Sequence, residues 1–362
     1  MSSPSFHHHR DTFLELLDSH AGPGFEHPIA AKMERFFSLY SADIRTDTLG
    51  NLMARIVPPA APANARVPRI LLAAHMDEIA LVVTQIDQGG FLRVWDAHAF
   101  DPRTLVGQEV LVHTHDGDAL LGIVGSKPPH LSSPAERKRA PKLEDLFVDL
   151  AMPETAVRER VRVGDRITVR RGTMELLNGR IAGKALDNRA SLAVVLECLA
   201  ALQQLRHTAE VYAAATVQEE VGLRGAMTAA YGVNPDIAIA IDVTFAGMPG
   251  QAPDESFEMG KGPVITMGPN LHPKVFRQLR DTAMHHNVPY QIEFSQGPTG
   301  TDAAALQIAR EGLATGLVGV AIRYMHTSVE TASYDDIAAC GRLLAHFIAS
   351  IDLAMVEGLT CY

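Results

Sequence analysis

Three textures of apolar and polar positions follow one another along the chain. Near the start, Phe13, Leu14, Leu16 and Leu17 recur at helical spacing and stop at the turn-forming AGPG of residues 21–24. A second helix is predicted from Ile29 to Leu39. NLMARIV (51–57) and RILLAAH (69–75) then read as buried strands, short apolar runs separated by the Pro/Ala-rich PPAAPANARVP. From about residue 78 to 177 helical periodicity fades. IALVVTQI, GFLRVWD, GQEVLVHT, ALLGIVG, LEDLFVDLAM and DRITVRRG are short runs punctuated by Gly, Asp and Pro, the spacing of a small β-barrel or sandwich. SKPPHLSSPAERKRAPK (126–142) reads as an exposed loop.

After residue 178 strands and helices alternate. A helix is predicted over Asn188–Leu205, a strand over 210–217, a short helix near Leu223–Tyr231 and a strand over 236–242. GPVITMG, a helix at 273–287, YQIEF, a helix at 302–312 and GLVGVAI follow, and one long amphipathic helix is predicted over 334–356. This alternation predicts an α/β fold, a mixed, mostly parallel sheet with helices on both faces, interrupted by a small β-barrel-like insert. Residues 1–77 and 178–362 form the α/β part and 78–177 the insert. In open sheets of this kind ligands bind at the carboxyl ends of the strands.

Composition narrows the function. Thirty-two Lys and Arg stand against 42 Asp and Glu, a net charge of −10, which argues against sequence-independent nucleic-acid binding. Three cysteines, Cys198, Cys340 and Cys361, have no CxxC spacing, so neither a disulfide framework nor a thiolate metal site is expected. The first residues lack the pattern of a signal peptide, and no apolar run reaches the roughly 18 residues of a membrane span. A cytoplasmic protein without membrane attachment is expected. Sixteen histidines supply metal-capable and proton-transferring groups.

Five strand ends carry such chemistry. His75 and Asp77 leave the strand RILLAA on the same side, as ligand and orienting carboxylate or as ordinary surface polar residues. Asp187 precedes a helix, where it is a ligand or an ordinary cap. Glu219 and Glu220 follow a strand as adjacent carboxylates, either a solvated turn or a pair in which one binds a cation and the other handles a proton. Asp242 ends a very apolar strand, and His326 follows GLVGVAI. Together they offer two imidazoles and several carboxylates without a thiolate, the composition of a hydrolytic dinuclear metal site. His7–His9 read as an unstructured tract, His285 and His286 as surface residues, and Trp95 as core. GPTGTDAA (297–304) reads as a loop near the cleft, with Thr301 and Asp302 either helping to form a substrate pocket or making a turn and helix cap.

The order HMDE, GKALDNR, QEEVGLRGA, AIDVT, GTDAAALQ, RYMHTSVE resembles the glutamyl and deblocking aminopeptidases, a family of dinuclear metallo-aminopeptidases that includes tetrahedral and cellulase-like members. The likeness extends over nearly the whole chain, including GNL near residue 50 and the position of the insert. It implies a zinc-exopeptidase-like fold and two divalent ions per subunit, Zn or Co/Mn. His75 and Asp242 resemble ligands of one ion, Glu220 and His326 of the other, and Asp187 the bridging carboxylate. Glu219 matches the general base and Asp77 the residue orienting His75. Related exopeptidases also imply a cis peptide between Asp187 and Asn188. One departure is Ala321, where the family usually has a proline before RYMH.

The implied activity is removal of N-terminal residues from short peptides. The insert is implied to join subunits into dimers or a tetrahedral dodecamer. Competing readings are another metal-dependent amidohydrolase (a deacylase or carboxypeptidase), a cellulase-like glycosidase, disfavoured because glycosidases use two carboxylates without metal, and a non-catalytic binding protein.

Overall fold

The computed structural model describes residues 7–58, 66–96, 100–252 and 256–361. Among these, an eight-stranded sheet forms the centre, in the order Asp43–Thr46, Leu52–Ile56, Glu210–Thr216, Arg69–His75, Ile237–Phe245, Ala314–Ile322, Val264–Met267 and Gln291–Phe294. Glu210–Thr216, Arg69–His75, Ile237–Phe245 and Ala314–Ile322 run parallel, so their carboxyl ends share one edge. Strands near both margins pair antiparallel. This is the mixed, mostly parallel sheet expected.

The continuous apolar runs follow from coverage on both faces. Ile70, Leu72 and Ala74 enter one core with Ile237, Ile239 and Ile241, beneath the helices Leu186–Leu202 and Tyr334–Ser350. Leu71 and Ala73 enter a second core with Ala238 and Ala240, against the helices Arg224–Val233 and Asp302–Gln307. Alternation of strand side chains sends neighbours to opposite cores, so no polar position interrupts the run until the strand ends. Small side chains on the second face then give way, two residues on, to His75, Thr216 and Asp242.

The insert is a closed six-stranded barrel ordered Leu81–Ile86, Leu92–Asp96, Leu146–Asp149, Ala119–Ser126, Glu109–His113 and Arg166–Val169. Leu81, Val83, Leu92, Val110, Val112, Val124, Val148 and Ile167 fill its interior as a core of its own. The chain then rejoins the α/β part through Met174–Leu176, which pairs with Arg180–Gly183 and, through it, with Glu330–Ser333.

Several local expectations are corrected. Trp95 is 59% exposed on the barrel's outside rather than in its core. His9 is buried, not part of an unstructured tract: its backbone N–H donates to Glu197 Oε1 at 2.8 Å and its ring bonds to the Tyr40 hydroxyl. His7 reaches Asp335. The last helix is two helices, Tyr334–Ser350 and Leu353–Glu357, divided where Asp352 turns extended and caps the second by accepting from Met355 N. Most of PPAAPANARVP lies outside the described residues. Among the described residues no helix is long and apolar enough to cross a membrane.

Candidate active site

The carboxyl ends of the parallel strands bring five predicted residues together. His75 is the last residue of its strand, and Asp242 lies in Ile237–Phe245 on the same face. Glu219 and Glu220 follow Glu210–Thr216 in a turn entered through Gln218 at a φ of 56°. His326, at a φ of 62°, follows Ala314–Ile322. Asp187 comes from the other side of the sheet, at the start of the helix Leu186–Leu202, and the Asp187–Asn188 peptide is cis.

Asp187 stands in the middle. Its Oδ1 is 3.1 Å from His75 Nε2 and its Oδ2 is 3.3 Å from His326 Nε2. Asp242 Oδ1 is 3.9 Å from His75 Nε2, and Glu220 Oε1 is 3.8 Å from His326 Nε2. Two sets of possible ligand atoms therefore share Asp187, one with His75 and Asp242 and the other with Glu220 and His326; a third combines His75, Glu219 and Glu220. Within each set the atoms lie within 4.8 Å of one another.

The electrostatics call for a cation. Glu219, Glu220, Asp242 and Asp187 are all buried, and among the described residues no lysine or arginine forms an ion pair with any of them. Burial, with repulsion from Asp242, Asp302 and Asp187, pushes the Glu219 carboxyl up to about 9 against the pull of His75. Burial and Asp187 push Asp242 up to about 8. Glu220 is raised by burial and by Asp187, and its buried Oε1 has no hydrogen-bond partner. Asp187 is also desolvated, yet hydrogen bonds from His326 and His75 hold it below the usual carboxylate range. Buried, mutually repelling carboxylates beside two imidazoles are the donor set of hard-to-borderline divalent cations. The residues present fit a metal-dependent centre.

Other residues support these groups. Asp77, expected to orient His75, stands beside the His75 Nδ1. Its backbone carbonyl accepts the His75 Nδ1 bond at 3.0 Å, and its carboxylate Oδ1 lies 3.5 Å from the same nitrogen. Its two carboxylate oxygens accept the backbone N–H groups of Glu219 and Glu220, each at 3.1 Å. Asn188 Nδ2 donates to Asp242 Oδ1 at 3.0 Å. Glu330, 2% exposed, accepts Asp187 N at 3.0 Å with one oxygen and His326 N at 2.7 Å with the other. Glu330 lies inside the motif RYMHTSVE but was not singled out. Its signal was a carboxylate four residues after His326, at the start of a short strand that pairs with Arg180–Gly183.

Thr301 caps the helix Asp302–Gln307 by accepting from Ala303 N. Asp302 is 2% exposed and its Oδ2 accepts the Thr216 hydroxyl at 2.7 Å. Asp302, inside the protein, repels the carboxylates of Glu219 and Asp242, whereas the Thr301 hydroxyl bonds only to Thr299 and to Ala303 N among the described residues. Ala321, the departure from the family pattern, is a buried strand residue and leaves His326 in place.

The family model of the M42 glutamyl aminopeptidases matches residues 50–343. The lysyl aminopeptidase of Pyrococcus furiosus is 36% identical over 328 residues, covering 89% of this chain and 92% of the relative. Among solved structures, the TET aminopeptidase of a thaumarchaeon from marine sediment superposes with a TM-score of 0.89 at 34% identity, over 97% of this chain and 99% of that one. The TET1 peptidase of Pyrococcus horikoshii, which can assemble into a tetrahedron or a large octahedral shell, superposes with a TM-score of 0.81 at 28% identity, over 94% and 99%. The competing amidohydrolase and glycosidase readings are not favoured by these relatives. With a cation-demanding cluster at the strand ends and the family model spanning both halves of the α/β part, the chain belongs to the M42 glutamyl aminopeptidases, metal-dependent hydrolases of peptide bonds.

Proposed function

We propose that the protein removes single residues from the free N-termini of short peptides with two divalent ions, one held by His75 and Asp242, the other by Glu220 and His326, with Asp187 between them. The observation that carries this reading is the pair of three-residue ligand sets sharing Asp187. An oxygen and nitrogen donor set without thiolate suits zinc, cobalt or manganese. When bound, the ions supply Lewis acidity toward the scissile carbonyl and an attacking water.

The chain's own residues do the rest. Glu219 is the general base: it takes a proton from the attacking water and returns one to the leaving amine. Asp77 holds the backbone of Glu219 and Glu220 while its carbonyl fixes the His75 tautomer. Glu330 locks the backbones of Asp187 and His326 to one another. Thr301 and Asp302 belong to the wall of the substrate pocket.

The barrel, 78–177 with its entry and exit segments, serves assembly. It contributes none of the ligand candidates, and its outer surface exposes Trp95, Leu121 and Ile123. A homo-oligomer, a dimer or tetrahedral dodecamer, is the state this reading favours, in the cytoplasm, with short peptides as substrates and neither nucleic acid nor membrane as a partner. The deciding experiment adds Zn, Co or Mn back to chelated enzyme and assays all aminoacyl-anilides beside N-acyl amino acids. Release from free-amine substrates only, dependent on added metal, is expected. Turnover of N-acyl substrates, or chelator-resistant activity, refutes the reading. Light scattering tests the assembly separately, and a fully active monomer of about 39 kDa overturns it.

A further inference from the structure

Four consecutive backbone N–H groups, from Val217 to Glu220, leave the strand Glu210–Thr216 without partners in the sheet, and side chains from three distant segments take them. Asn51 Oδ1 accepts Val217 N at 3.0 Å, Glu26 Oε1 accepts Gln218 N at 3.1 Å, and the two oxygens of Asp77 accept Glu219 N and Glu220 N. Gln218, at a φ of 56°, sits in the left-handed region that disfavours a non-glycine residue and persists only where its surroundings enforce it. Asn51 is itself fixed: its Nδ2 donates to Asp47 Oδ2 at 2.6 Å, Thr228 Oγ1 at 2.7 Å and the Gly225 carbonyl at 2.9 Å.

From this geometry we infer that Glu26 is a positioning residue for Glu219, an inference that rests on the reading of Glu219 as general base. Glu26 stands at the N-cap of the helix His27–Phe37, a position that ordinarily takes a short capping side chain, and it makes no capping bond. The side chain turns back instead, accepting Gly24 N at 2.8 Å with the same oxygen that reaches Gln218 N. It is 6% exposed, so this use of a carboxylate is costly unless it serves the turn. The N-terminal AGPGFE segment thereby fixes the Val217–Gln218 peptide, next to the one whose N–H Asp77 holds, and through the left-handed Gln218 it sets the direction of the Glu219 side chain.

The test is a double-mutant cycle in the metal-loaded enzyme. Glu26→Ala is expected to lower kcat by about ten- to hundredfold, the loss typical of a misplaced catalytic group, with KM within about twofold and metal content unchanged. Glu26→Gln, which keeps an acceptor oxygen, is expected to recover most of kcat. In a Glu219→Gln background, Glu26→Ala is expected to cost nothing further, because the two act as one unit. The inference is overturned if Glu26→Ala leaves kcat within twofold, if it loses activity only in proportion to lost metal or folded protein, if Glu26→Gln is as poor as Glu26→Ala, or if the losses at 26 and 219 multiply. An active Glu219→Gln variant instead refutes the general-base reading and leaves the geometry of the turn as it is.

Discussion

Beneath the active site one carboxylate holds two buried cations, and removing it is predicted to cost more than removing either cation. The Glu78 and Lys184 side chains are 4% and 3% exposed. Lys184 Nζ donates to both Glu78 oxygens at 2.8 Å and to the Ser19 carbonyl at 2.5 Å. Arg189, fully buried, places Nη2 3.5 Å from Glu78 Oε1, while its Nη1 donates to the Met76 carbonyl. Glu78 also accepts Ala21 N at 3.0 Å. Burial alone would raise the Glu78 carboxyl; Lys184 and Arg189 outweigh it and hold it below its ordinary value. Removing one partner of a buried pair costs about 3–5 kcal/mol because the other is left uncompensated. Glu78→Met strands two cations, so the upper end of that range is expected. Lys184→Met leaves Glu78 paired with Arg189 and Ala21 N, so about 1–3 kcal/mol is expected, near the cost of a single buried unsatisfied group. The assay is urea unfolding followed by far-UV circular dichroism, with saturating divalent metal throughout so that ligation does not differ between variants. A Lys184→Met cost equal to or above that of Glu78→Met refutes the argument, as does a Glu78→Met cost under about 1 kcal/mol.

Three further outcomes are expected. Glu219→Gln retains both ions by elemental analysis but loses turnover by roughly two or more orders of magnitude, whereas Glu220→Gln loses one ion; metal loss in the first and not the second would swap the roles. Asp187→Ala loses both ions, and two tightly retained ions would end its bridging assignment. His20, desolvated and repelled by Lys184, is held down to about 3 in the folded protein, against about 6.5 unfolded. The unfolded chain therefore takes up the proton first, so this contribution is complete above pH 6.5 and is lost as pH falls toward 3, at up to about 1.4 kcal/mol per pH unit. Comparing wild type with His20→Gln at pH 7 and pH 5 by urea unfolding is expected to show about 2 kcal/mol less pH dependence in the variant; parallel curves would contradict it.

The sheet and the residues at its edge were legible because strands covered on both faces have no polar positions until they end. His75, Asp242 and Glu219–Glu220 stand out as the first ionisable side chains after such runs. The barrel was legible from its six short runs, each of which became a strand. What stayed hidden acts through backbone groups far away in sequence. Glu26 accepts from Gln218, and Glu330 from Asp187 and His326, and neither bond leaves a local pattern. The break at Asp352 was hidden for another reason: Leu353 and Val356 continue the apolar spacing of the preceding helix, so periodicity runs on where the backbone turns. Trp95 shows the limit of reading burial from side-chain type, since an outward-facing barrel position places even a tryptophan against solvent.

The five side chains proposed to hold the ions come from positions 75, 187, 220, 242 and 326, with the whole barrel threaded between the first and second. Of these, His326 leaves the ribosome last, after every strand of the eight-stranded sheet. His326 cannot reach Asp187 until the strand Ala314–Ile322 has docked beside Ile237–Phe245, a pairing between distant segments of the kind that forms late and slowly. On the proposed assignment, any chain that ends before residue 326 lacks one of the side chains that would hold the ions, so the centre is completed only near the end of synthesis.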